Sequence, residues 1–150
     1  MQLEVIIVTQ TLQFEAAWDK TIANKDREKI KQEFIRVKEN LSKEEKIQFT
    51  TLGHAINHKG ELLVTVLVHN TSNSDFTFHH DTIQYHANGE LIAGHIFTIP
   101  RLVIEKETSI PWTFIFPKQQ ILKKEIPSNG VILINKTSIS GGFPSSTTDR

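Results

Sequence analysis

The chain has 150 residues, 38% of them hydrophobic, and its 17 Lys+Arg balance 17 Asp+Glu to a formal charge of zero. A single domain of that length buries roughly two-thirds of the surface its extended chain exposes, so one core suffices. Zero charge supplies no general field to draw in nucleic acid or anionic lipid, and the absence of cysteine excludes disulfides, thiolate metal sites and thiol nucleophiles.

Residues 3–14 are rich in β-branched and apolar side chains and read as strand. Their apolar run from Val5 to Val8 follows Glu4 and is far shorter than the ~20 residues of a membrane span. It is also wrongly flanked for a signal peptide, so the expected location is cytoplasmic and no integral membrane segment is expected. Over about 24–41 the period changes. Ile30, Phe34, Val37 and Leu41 recur at helical spacing among Lys, Arg, Asp and Glu, which predicts an amphipathic helix capped by Thr21 or Asn24, with Lys29 and Glu33 as an i,i+4 pair. Trp18, just before it, reads as an anchor pinning that helix to a sheet more than as a binding residue.

From residue 47 onward the pattern is β. Residues 47–56 and 61–69 flank Asn57-His58-Lys59-Gly60, a turn composition, and the second strand is apolar on both faces, so it should be central or covered on both sides. Residues 70–75 form a polar loop. Asn88-Gly89 then predicts a type I′ hairpin between 82–87 and 90–98, pairing Tyr85 with Ile92 and Ile83 with Gly94 on a core face that also carries Ile96. Pro100 and the charged run 105–107 bracket a short strand at 101–104, and in the next strand Trp112, Phe114 and Phe116 should be the heaviest buried mass. Pro111, lacking an N–H, either begins that strand or faces an edge. A connection with a helical turn near 119–124 leads to a last strand at 131–135, and residues 138–150 read as a disordered tail. The expected fold is mainly β: an immunoglobulin-like antiparallel β-sandwich of one domain, residues 1–137, with one N-terminal amphipathic helix packed on it.

The histidines do not converge in this reading. His79 and His80 should point to opposite faces of an extended segment, and His86 and His95, on one hairpin face, lie ~13 Å apart. His54, His58 and His69 flank one hairpin and are the residues on which a small-ligand or metal-binding alternative rests. There is no Gly-x-Ser-x-Gly elbow, no phosphate-cradling loop and no acid-rich calcium loop. The runs 43–46 and 105–107 read as solvated charge, and the Asn-x-Ser/Thr triplets at Asn40, Asn70 and Asn135 have no consequence without a secretory signal. No catalytic residue, metal or cofactor is expected.

Four strings carry a resemblance: AWDKTI from Ala17, DREKI from Asp26, INHKGELLVTVLVHN from Ile56 and SIPWTFIFP from Ser109. With the order strand, helix, β-rich remainder, residues 12–131 resemble the SLAP domain, a family of Bacillus-type bacteria found in S-layer assembly proteins of an accessory SecA-dependent secretion route. The resemblance implies a non-enzymatic factor, cytoplasmic or membrane-peripheral, whose partner is a protein of the secretion machinery or the surface layer. It offers no catalytic residues to carry over. It marks Trp18, Asp19, Lys20, His58, Lys59, Gly60, Pro111 and Trp112 as family-motif and candidate interaction residues. Open sheet edges add pairing with a second copy as a further expectation.

Overall fold

A computed structural model describes residues 9–135. The first part of the strand expected over 3–14, and the tail expected from residue 138, lie outside the described residues.

Among the described residues the elements run β1 (Thr11–Leu12), α1 (Ala16–Thr21), α2 (Asn24–Lys38), β2 (Ile47–Ile56), β3 (Leu62–Asn70), β4 (Phe76–Ala87), β5 (Glu90–Ile104), β6 (Thr108–Phe116) and β7 (Val131–Asn135). They build two sheets, β1-β6-β3-β2 and β5-β4-β7, packed face to face as a β-sandwich. The β3–β4, β5–β6 and β6–β7 connections each cross from one sheet to the other. The pairing is antiparallel throughout, except that β1 joins β6 in parallel.

Alternation decides what each strand buries. On β3, Leu62, Val64, Val66 and Val68 face the other sheet, where they meet Phe78, Tyr85, Leu102 and Ile104. Trp112, Phe114 and Phe116 are buried as the sequence predicts, and the Phe114 ring is met edge-on by Phe49, Phe78 and Phe97. The outward face of β3 carries Leu67, and there Ile30 and Phe34 of α2 dock. β3 lies between β6 and β2, so the expectation that it is central holds, while α2 covers its outward face only at Leu67. Pro111 is tolerated because Ser109 accepts a hydrogen bond from Gln13 on the β1 side; two residues on, the proline nitrogen faces the same side, beyond the end of β1.

The turns behave as their residues dictate. Asn57 accepts from the Lys59 and Glu61 amides through its side chain, and Gly60 takes φ +82°. Asn88 and Gly89 both have positive φ, as a type I′ turn requires.

Several expectations need correction. The hairpin register holds for Ala87 with Glu90 and His86 with Leu91, then slips, so that Tyr85 faces Ala93 and Ile83 faces His95. The extra residue buries Ile92 and Ala93 together and leaves the Ile92 carbonyl to accept the Leu122 amide at 2.7 Å. A one-residue slip exchanges faces for everything that follows, so Ile96 is exposed rather than core. His95 turns toward Phe97, where burial lowers its imidazole pKa, and no longer shares a face with His86, which bonds Gln84 outside.

His79 and His80 are not splayed apart either. They form a bulge in which His80 takes φ +54°, and their rings lie 4.6 Å apart. The strand expected at 101–104 is the end of a continuous β5. Pro100 sits where β4 pairing lapses between Ile99 and Val103, so its missing N–H costs no ladder bond. The helical turn after β6 is a 3₁₀ turn at Lys118–Gln120.

On the helical side, Trp18 lies in a short helix of its own, α1, capped by the Glu15 carboxylate. Neither Thr21 nor Asn24 caps α2. Thr21 bonds back to Ala17, Asn24 is already helical, and the cap position is Ala23. Glu33 pairs with Arg36 rather than Lys29.

Candidate functional site

The outward face of the β1-β6-β3-β2 sheet divides in two. Toward the Asn70 end, Leu67 lies beneath Ile30 and Phe34, and His69 and Ser109 are sealed from solvent. Toward the β2–β3 turn, Leu63, Thr65, Thr113 and Ala55 lie on the same face by alternation, and α2 does not reach over them. The result is a groove of about 900 Å³ with the sheet as floor and the two helices as wall.

The wall is held by short-range chemistry. Arg27 of α2 donates to the Asp19 carboxylate at 2.8 Å and to the Asp19 carbonyl at 3.0 Å, with its guanidinium 4.7 Å from the Phe14 ring centre. That clamp folds α1 onto α2, so Trp18 and Ile22 face the same space as Asp26, Lys29 and Ile30. Trp18 is half-buried and packs against both hydrophobic clusters, as an anchor does, and it also lines the groove. The floor contributes the Thr65–Thr113 hydroxyl pair at 2.9 Å. At its margin His54 Nδ1 lies 3.2 Å from the hydroxyl of buried Tyr85, whose phenol pKa is raised by burial.

Gly53 sits at a bulge in β2, and a Cβ placed there would meet nothing within 4 Å. Along the wall, a hydrogen bond from Arg36 holds the Glu33 carboxyl below its usual range. Asp26 has no ion-pair partner among the described residues.

The eight motif residues fall in three places. Trp18 lines the groove, Asp19 makes the clamp and Lys20 is exposed at the end of α1. His58 and Lys59 are exposed at the β2–β3 turn, and a side chain on Gly60 would press on Lys118. Pro111 and Trp112 are buried in β6, where the Arg101 guanidinium lies 5.5 Å from the Trp112 ring centre. The sequence reading missed the groove's sheet residues, Leu63, Thr65 and Thr113. No local signal marks them, because their exposure depends on where α2 stops.

His54, His58 and His69 are not brought together. His54 pairs with Val64 on the β2–β3 ladder, whereas His69 pairs with Gln48, six positions along. His69 lies 2.6 Å from Ser109 Oγ and 2.8 Å from Thr50 Oγ1, so both ring nitrogens are engaged. Burial pushes its pKa down to about 4. Both side chains of this Ser–His contact are buried from solvent. Among the described residues no three His, Asp or Glu gather where they would hold a metal ion, and no helix is long and apolar enough to cross a membrane.

A family model described as the SLAP domain matches residues 12–136, a span that includes every element of the groove. No curated protein and no solved structure matches the chain.

Proposed function

The chain belongs to the SLAP domain family, and from that premise we propose that it is a non-enzymatic protein-binding module serving accessory Sec-dependent export or assembly of surface-layer proteins in a Bacillus-type bacterium. It works in the cytoplasm or at the membrane surface, and its partner is a component of the secretion machinery or a surface-layer protein. The observation that carries the binding half of this reading is the groove. It is a concave surface whose floor of leucine, alanine and threonine lies beside a helical wall with a charged rim, and it offers contact area for a partner. The sealed His69–Ser109 pair supports the non-enzymatic half, since neither residue reaches solvent.

The test is genetic. Deleting the gene should lower the amount of surface-layer protein outside the cell and raise its precursor inside, and a copy carrying Leu63→Arg in the groove floor should fail to restore export. Unchanged export after deletion would sink the proposal.

A further inference from the structure

Away from the groove, on the β5-β4-β7 sheet, a bulge in β4 sets two imidazoles side by side, and the geometry points to a clip there in which His79 and His80 together hold a divalent transition-metal ion. The β4–β5 register passes from Phe78 with Ile99 to Asp81 with Phe97, so two residues of β4 stand opposite Thr98 alone. That extra residue undoes the splaying of neighbours along an extended strand. The two rings lie 4.6 Å apart, centre to centre, with their planes at 88°, and both residues are exposed. Two imidazole nitrogens each about 2 Å from one ion, at a right angle to each other, put their ring centres about 4.5 Å apart. The observed separation is that of neighbouring ligands on a single metal.

Backbone and charge support the same reading. His80 has φ +54°, a conformation that glycine would hold with less strain, so the turn alone does not account for an imidazole at this position. The bulge is pinned at both of its amides. The Asp81 carboxylate accepts the His79 N–H at 2.9 Å and the Thr98 hydroxyl accepts the His80 N–H at 2.9 Å, which fixes the backbone beneath the rings before any ion arrives. Asp81 is buried and makes no ion pair among the described residues. A dication on the adjoining histidines supplies the opposite charge that this carboxylate lacks. Because Asp81 is turned to the backbone, the protein provides two ligands and water fills the remaining positions. Imidazole favours nickel, copper and zinc, whereas calcium and magnesium seek oxygen.

The test is calorimetric titration of the full chain with nickel chloride in a buffer that does not chelate metal. One equivalent should bind, and excess magnesium should leave that binding in place. His79→Gln should weaken it at least tenfold. His80→Asn removes the imidazole while keeping a residue that tolerates positive φ, so it should weaken binding as much and leave the metal-free melting temperature unchanged. His80→Gly separates strain from ligation: it should raise the melting temperature and still lose nickel. His86→Gln, on the same strand but outside the bulge, should bind as the parent does. Nickel binding that survives both His79→Gln and His80→Asn within threefold overturns the inference. So does uptake of several equivalents that falls equally with His86→Gln, since the metal would then be spread over the surface histidines.

Discussion

The two outward faces of the sandwich are built from strands of the same kind and end differently. Outside the four-stranded sheet, Leu67 is fully buried and Leu52 partly so, because α1 and α2 lie over them. Outside the three-stranded sheet, Ile96, Val131 and Leu133 are each about half exposed among Thr82, Gln84 and His86, and no helix among the described residues covers them. A strand's outward positions become core only where the chain supplies a second layer. The groove is the boundary case, since α2, with 15 residues, is about 22 Å long, while the ten residues of β2 extend about 33 Å. A helix of that length leaves part of the sheet bare in any orientation.

The sharpest way to break this comparison is to remove the layer. Phe34→Ala deletes a ring buried between α2 and Leu67 and should cost about 4 kcal/mol in urea unfolding. A loss under about 1 kcal/mol, the size of an ordinary surface change, would mean α2 adds little to the covered face.

The next effect is titrated. His69 lies on the covered face, and burial alone holds it at about 4 in the folded protein, below its ordinary 6.5. Between those values the unfolded chain binds the proton that the native chain refuses. Stability should therefore be full above pH 6.5, fall by about 3 kcal/mol as the pH drops to 4, and level off below that. Urea midpoints across this range check the slope, and His69→Gln should flatten it, whatever its effect on stability at neutral pH. An unaltered slope in that variant would place the acid sensitivity elsewhere.

Smallest is the change on the uncovered face. Leu133→Thr trades an exposed side chain for a strand-favouring polar one and should shift stability by no more than about 0.5 kcal/mol. A loss of about 2 kcal/mol or more, especially one that depends on protein concentration, would show that this face is covered in solution by a second copy.

How much of this was legible in the sequence varies with the range of the interaction. The turn at Asn57-His58-Lys59-Gly60, the Asn88-Gly89 hairpin, the Ile30/Phe34 stripe and the aromatic strand at 112–116 all follow from neighbours within a few residues, and each stands where its chemistry put it. The bulges at Ile92 and at His79-His80 did not show, because alternation offers no reason for an extra residue until a distant partner requires one. For Ile92 that partner is the Leu122 amide, and for the histidines it is Thr98, whose hydroxyl accepts the His80 N–H, while Asp81 next along the chain accepts that of His79. The α2 cap was misjudged for a related reason: α1 already occupies Thr21, so the chain reaches Ala23 with little choice of side chain. Within the groove the sequence marks Trp18, His54 and the α2 residues Lys29, Ile30 and Glu33, but not the floor, since threonine and leucine there look like any other strand until the cover is known.

The helical layer also has a cost in time. Ribosomal synthesis delivers Ile30 and Phe34 well before the strands they rest on, since the sheet beneath them is complete only once β6 ends at Phe116. At about 5–20 residues per second the apolar stripe of α2 waits roughly 4–16 s for its floor. Over that interval the nascent chain presents a sticky helix to its surroundings. Slowing elongation across β3 to β6 should raise the fraction of chains captured by chaperones, and Phe34 is the side chain through which that capture would act.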